Sequence, residues 1–114
     1  MIIKSFEDII AWQKAKELNI FIYKSFRVYK DYGFKDQIQR ASVSIMNNIA
    51  EGFERGGNKE FKNFLFISKG SCAEVRSMLI LVFELKYINE KEFRYAYSLT
   101  VEISKLLSGF IKTL

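Results

Sequence analysis

Four glutamates, Glu51, Glu54, Glu60 and Glu74, are the residues that come closest to metal chemistry, because helical bundles can gather such carboxylates around metal ions. Sites of that kind also draw on Glu-x-x-His pairs, and the chain has no histidine. The same absence removes the commonest general base, the serine–histidine–aspartate arrangement and most zinc sites. Cys72 is the single cysteine, so one chain offers neither a disulfide framework nor a thiolate cluster. A nucleophilic cysteine normally has a histidine partner, and Cys72 falls on an apolar helical stripe, where it reads as a small buried hydrophobe. The segment Gly52-Phe53-Glu54-Arg55-Gly56-Gly57-Asn58-Lys59 lacks the lysine–hydroxyl ending of a phosphate-cradling loop. No catalytic residue, metal or cofactor is therefore expected. The glutamates read as solvated or ion-paired, and a hydrolase or nuclease is the disfavoured class.

Positive charge is the other source of chemistry. Eighteen Lys and Arg against thirteen Asp and Glu give a formal charge of +5, which favours polyanion partners. Arg55, Lys59, Lys62 and Lys69 bracket the Gly56-Gly57 turn, where a following helix N-terminus adds free amides for phosphate. These four are the candidate nucleic-acid contacts. A second patch is conceivable from Lys4, Lys14, Lys16 and Lys24 with Lys30 and Lys35. The bland account of both sets is a solubilising face. No aromatic RNA-recognition motif is present, so base-specific reading is not expected.

The elements that must carry these residues are helical. There is no proline, so nothing forbids long helices, and 114 residues suit one domain, residues 1–114. The spacing predicts helices over about 6–28, 36–55, 59–87 and 90–111, with short links that favour an antiparallel up-down-up-down four-helix bundle. Ser5 with Asp8 is read as the cap of the first helix, Asn58 as that of the third, and Asn89 with Glu92 as that of the fourth. Trp12, Ala15, Leu18, Ile22 and Phe26 point inward from the first helix. Phe61, Phe64, Leu65, Ser68, Cys72, Val75, Leu79 and Val82 do so from the third, and Phe93, Ala96, Leu99, Ile103, Leu107 and Phe110 from the fourth.

The second helix is unusual. Ile38, Ala41, Ile45, Ile49 and Gly52 make one stripe, and Val43, Met46, Ala50 and Phe53 a second; two apolar faces imply two partners. Between them Ser42, Ser44, Asn47 and Asn48 suit a close, hydrogen-bonded helix seam. Gly70, among Ser68, Ser71, Cys72 and Ala73, reads as a close helix crossing. The third helix ends Met78-Leu79-Ile80-Leu81-Val82-Phe83-Glu84-Leu85, apolar nearly all round. One bundle core cannot bury that run, and eight residues are far short of the roughly 20 needed to span a bilayer. Self-association through Leu81, Phe83, Val43 and Met46 is expected, with no membrane involved.

Several blocks carry a resemblance. Gln37, Arg40, Ala41, Ser44, Ile45, Asn48, Ile49, Ala50, Glu51 and Gly52 match in order a signature of the form Gln-x-x-Arg-Ala-x-x-Ser-Ile-x-x-Asn-Ile-Ala-Glu-Gly. Phe6-Glu7-Asp8 with Ala11-Trp12-Gln13-Lys14-Ala15, and Glu60-Phe61, Phe64-Leu65, Gly70-Ser71 and Glu74, extend the match from residue 6 to about residue 87. The chain thus resembles the four-helix-bundle proteins of the 23S ribosomal RNA intervening-sequence family. Met46 stands where such proteins often have proline, and Val28-Tyr29 replaces a Phe-Pro that commonly ends the first helix. The resemblance implies a ring-like homo-oligomer, commonly a pentamer. It also makes nucleic acid a natural partner, since some relatives are encoded inside inserts of 23S ribosomal RNA genes and a related group serves reverse transcriptases of diversity-generating retroelements.

The signature positions Trp12, Gln37, Arg40, Ser44, Asn48, Glu51 and Gly52 are read as structural or interface residues. Arg40, Asn48 and Glu51 suit a polar ladder across a subunit seam, or an Arg40 pair with a glutamate on a neighbouring helix. The function expected is a non-enzymatic homo-oligomeric scaffold that binds RNA, DNA or a nucleic-acid-associated protein through a basic surface. A protein-interaction adaptor without nucleic acid is the alternative. Met1 to Asp8 reaches acidic residues before an apolar signal core forms, so a cytoplasmic location is expected.

Overall fold

The computed structural model describes residues 3–114; Met1 and Ile2, the first residues of the segment read above for a signal, lie outside the described residues. A short 3-10 turn, Phe6–Asp8, precedes four helices: α1 Ile10–Ser25, α2 Tyr32–Glu54, α3 Asn58–Glu84 and α4 Glu90–Lys112. Among the described residues there are no strands. The body measures 42 × 23 × 19 Å, close to the length of α3, whose 27 residues rise about 40 Å.

Helix α1 begins later than its periodicity suggests. Ser5 caps the 3-10 turn, its hydroxyl accepting from Glu7 N at 3.3 Å, and its own proton goes to the Glu7 carboxylate. Asp8 takes no part in the cap expected of it. The chain then runs extended at Ile9 (φ −78°, ψ 120°), which turns that side chain into the core. The Gln13 side-chain amide bridges the break by donating to Glu7 O at 2.8 Å. At the other end α1 stops at Ser25, short of Val28.

Helix α2 starts four residues before position 36, because Asp31 supplies a cap that accepts from Phe34 N at 3.1 Å. Gly57, not Asn58, is the N-cap of α3. The fourth cap is as read: Asn89 accepts from Glu92 N at 2.8 Å and the Glu92 carboxylate accepts from Asn89 N at 2.9 Å. α2 and α4 thus begin with side-chain caps, whereas α1 and α3 begin at Ile9 and Gly57 without one.

The helices pack as a ring of neighbours, α1 on α2, α2 on α3, α3 on α4 and α4 on α1. Leu18, Ile22 and Phe26 from α1 and its end meet Ile38, Ile45 and Ile49, Leu65, Val75, Leu79 and Val82, and Ile103 and Leu107, all fully buried. Each such side chain contributes about 1.5–3 kcal/mol by leaving water. Trp12, Phe64, Phe93 and Phe110, expected inside, lie half-buried at the rim of this core.

Polar atoms inside the bundle are paired. Asn19 donates from one amide nitrogen to Ala15 O and to Ser42 O, each at 2.8 Å. Ser42 Oγ lies 2.9 Å from Asn19 Oδ1, which ties α1 to α2. Ser68 Oγ donates to Ile45 O at 2.7 Å and ties α3 to α2. Among the described residues no buried side-chain nitrogen or oxygen lacks a partner. The small polar residues of α2 thus have the tight-seam role that their size suggests.

Candidate functional site

Four of the signature residues, Gln37, Ser44, Asn48 and Gly52, lie at the α2–α3 seam. At Gly52 the two helices approach closely: a Cβ there would sit 2.5 Å from Phe64 Cβ and 3.0 Å from Phe61 Cδ1, so no larger residue fits without moving a helix. Ser44 Oγ meets Ser71 Oγ at 2.9 Å. Asn48 donates to Ser44 O at 2.8 Å and Ser44 Oγ at 2.9 Å, and Gln37 Nε2 donates to Glu74 Oε2 at 3.2 Å. Trp12 stands apart from this seam, its ring at 5.2 Å from Phe6 in an edge-on contact and capped by Lys16 Nζ at 5.4 Å.

Two expectations fail here. Arg40 reaches no neighbouring helix; it pairs with Asp36 one turn earlier, at 2.9 Å, with both side chains exposed. Glu51 likewise pairs along its own helix, with Arg55 at 3.0 Å. Within one chain Arg40, Asn48 and Glu51 make separate local contacts, since α2's own turns offer partners at lower conformational cost than a second helix does. Gly70 is the other: nothing lies within 4 Å of a Cβ built there, so the close crossing belongs to Gly52 and Gly70 is on the exposed side of α3.

Carboxylates and thiol are placed as structural groups. Glu51 and Glu74 have the partners just named, and among the described residues no three His, Cys, Asp or Glu side chains gather as a metal would require. Cys72 is fully buried and donates to Thr100 O at 3.2 Å. Burial pushes its thiol up to about 11, which keeps it protonated at neutral pH and weakly nucleophilic.

The basic candidates lie along α3. Gly56, with φ +84°, takes the left-handed turn that ends α2, and α3 begins two residues later. Arg55 is held by Glu51 and lies over the Phe64 ring at 5.3 Å. Lys59, Lys62 and Lys69 form no ion pair among the described residues. Lys62 and Lys69 are seven apart and share an edge of α3, and the same step reaches Arg76, which sequence reasoning left out. The next step along that edge is Phe83, stacked on Phe93 of α4 with centroids 4.3 Å apart, which puts the line beside α4. From Lys59 to Arg76 it runs about 25 Å. The signal that could have found Arg76 is this seven-residue spacing.

The interface candidates divide. Leu81 is 48% exposed, with Ile80 and Leu85 beside it and Phe66 and Ile67 further along α3. Phe83 is half-buried against Phe93. Met46 packs against the core from the rim and Val43 is half-buried. No helix among the described residues is long and apolar enough to cross a membrane, so this apolar ridge is not a membrane span.

The model of the 23S rRNA-intervening sequence protein family matches residues 7–109. The chain belongs to that family. A crystal structure of a protein with unknown function from the S23 ribosomal protein family of Bacteroides thetaiotaomicron VPI-5482 superposes on this intervening-sequence protein with a TM-score of 0.83 at 28% identity. The likeness covers 90% of this chain and 98% of the other. No curated protein matches it. The family match spans the α2 signature and the basic line of α3 together.

Proposed function

We propose that this intervening-sequence protein is a non-enzymatic scaffold that self-associates and holds nucleic acid, or a nucleoprotein, on its basic surface. The single observation that supports it best is the line Lys62, Lys69 and Arg76 on one edge of α3, with Lys59 a turn before it; among the described residues none of the four has a carboxylate partner. Unpaired cations in a row gain by meeting phosphates, because each contact releases condensed counterions. The family's name, which links it to 23S rRNA, makes RNA the first choice and DNA the second. Within this reading the helices run antiparallel, up-down-up-down, and the protein works in the cytoplasm.

The apolar ridge of α3 supports self-association. Phe66, Ile67, Ile80 and Leu81 are about half exposed, and Gly70, Ala73 and Ser77 between them let another helix approach. The resemblance favours a closed ring, commonly of five copies. Leu81→Glu adds a charge at a position open to solvent in one chain, so the variant folds and its mass by light scattering falls. An unchanged mass excludes the ridge as the interface.

The binding claim is tested by the triple change Lys59→Ala, Lys62→Ala and Lys69→Ala. RNA affinity falls and the slope of log K against log salt flattens by about 0.7–0.9 per lost phosphate contact. Equal slopes for variant and wild type move the site elsewhere, and partner capture without any RNA affinity makes the protein an adaptor.

A further inference from the structure

The connection between α1 and α2 meets the end of α3 in a pocket of about 420 Å³, lined by Ser25, Val28, Tyr29, Lys30, Asp31 and Tyr87. Tyr29 is its fixed wall, with its ring 5.2 Å from Phe26, 5.7 Å from Phe34 and 4.7 Å from Tyr87 in an edge-on pair. Tyr87 is the open wall, 60% exposed, and Val28 in the same lining is 85% exposed. Lys30, also in the lining, is exposed. Asp31 uses Oδ1 to cap α2, which leaves its second oxygen to accept from another donor.

Tyr87 is held there by a backbone arrangement that has a cost. Tyr87 N donates to Val82 O at 2.9 Å and Lys86 N to Phe83 O at 3.0 Å, the paired bonds that close a helix through a left-handed residue. That residue is Lys86, with φ +64°, and among the described residues it is the only one other than glycine with positive φ. Glycine takes this conformation without strain, and helix ends of this type usually have it. Lys86 thus ends the helix with a charged side chain next in the chain to Tyr87, and backbone strain of this kind gathers where ligands bind.

We propose that this pocket takes one unpaired base of a single-stranded nucleic acid, stacked on Tyr87, with Lys30 and Lys86 on the adjoining phosphates. The exposed aromatic face supplies stacking, Val28 an apolar cover, the free Asp31 oxygen an acceptor for a base N–H, and the two lysines the charge. A base inside a duplex is stacked on both faces and cannot enter. The inference rests on the nucleic-acid reading above and adds to it a preference for single strands, read at a place separate from the Lys62–Arg76 edge.

The test uses the full-length protein in its native assembly, with a labelled unstructured RNA strand and an RNA duplex of equal length, by fluorescence anisotropy. Wild type is expected to prefer the single strand. Tyr87→Leu lowers single-strand affinity about tenfold and duplex affinity by less than twofold. Lys86→Gly separates binding from folding: with the left-handed strain relieved the melting temperature rises, while single-strand affinity falls. A Lys86→Gly protein that is more stable and binds as before overturns the pocket, as does a folded Tyr87→Leu protein with unchanged single-strand affinity. Wild type binding duplex and single strand alike, with both variants unchanged, overturns the pocket alone. Wild type binding neither overturns the nucleic-acid reading and this inference with it.

Discussion

Replacing Gly52 by alanine is the sharpest probe of the α2–α3 seam, because it sets two known effects against each other. In an open helix the change gains about 0.5–1 kcal/mol, since glycine has more freedom to lose on folding. Here the new methyl carbon would stand 2.5 Å from Phe64 Cβ and 3.0 Å from Phe61 Cδ1, where carbon contacts settle at about 3.5–4.0 Å. Phe64 Cβ cannot swing away by a rotamer change, so α2 and α3 must separate by about 1 Å. That separation stretches the Ser44–Ser71 and Ser68–Ile45 bonds, at 2.9 and 2.7 Å. Overpacking of this kind costs about 1–3 kcal/mol. Taking the propensity gain from the middle of that range leaves a net loss of about 1 kcal/mol, which lowers the melting temperature of a domain this size by about 3–6 °C. Thermal and urea unfolding followed by circular dichroism, at one fixed protein concentration, reads it. Gly109→Ala, in α4 with nothing within 4 Å, is the control and is neutral or stabilising by up to about 1 kcal/mol. A Gly52→Ala protein as stable as wild type refutes the close-crossing argument.

Three more outcomes follow from the same geometry. Asn19→Ala removes the donor to Ala15 O and Ser42 O and the acceptor of Ser42 Oγ, a loss of about 1–3 kcal/mol by urea unfolding; a smaller effect than a surface alanine gives contradicts it. Asn89→Ala strips the cap of α4 and costs about 1 kcal/mol, with α4 amides showing faster hydrogen exchange first; uniform exchange changes across the chain count against a local cap. The Cys72 thiol, raised from 9.0 to about 11 by burial, contributes stability that is complete below pH 9 and is lost as pH rises toward 11, because the unfolded chain releases its proton first. Cys72→Ala therefore flattens alkaline destabilisation over that window. At neutral pH the native thiol reacts with a disulfide reagent only as fast as the protein opens, and reaction at a free-thiol rate contradicts its burial.

What could be read beforehand was whatever depends on local spacing. The stripe Ile38, Ala41, Ile45, Ile49 and Gly52 is buried throughout, since helical geometry alone puts those residues on one side. The Asn89–Glu92 box is a contact within one turn and needs no tertiary partner. The break at Ile9 was not legible, because periodicity runs through it and only the core's demand for that side chain turns the chain there. Gly70 looked like the crossing from its small neighbours, yet helix rotation put Gly52 against Phe64. Within the chain Arg40 and Glu51 pair with Asp36 and Arg55 one turn away, contacts that four-residue spacing on a helix already offers. Arg76 was within reach of the seven-residue spacing that links it to Lys62 and Lys69, whereas the left-handed Lys86 was not legible, because no glycine marks that helix end.

The most direct test of the central claim is the binding of a structured ribosomal RNA fragment to the purified protein, followed by anisotropy across a salt series. Micromolar or tighter binding at low salt is expected, with a steep fall in affinity as salt rises, the mark of several phosphates neutralised at once. No binding at low salt, or binding indifferent to salt, contradicts it and leaves the positive charge as an aid to solubility.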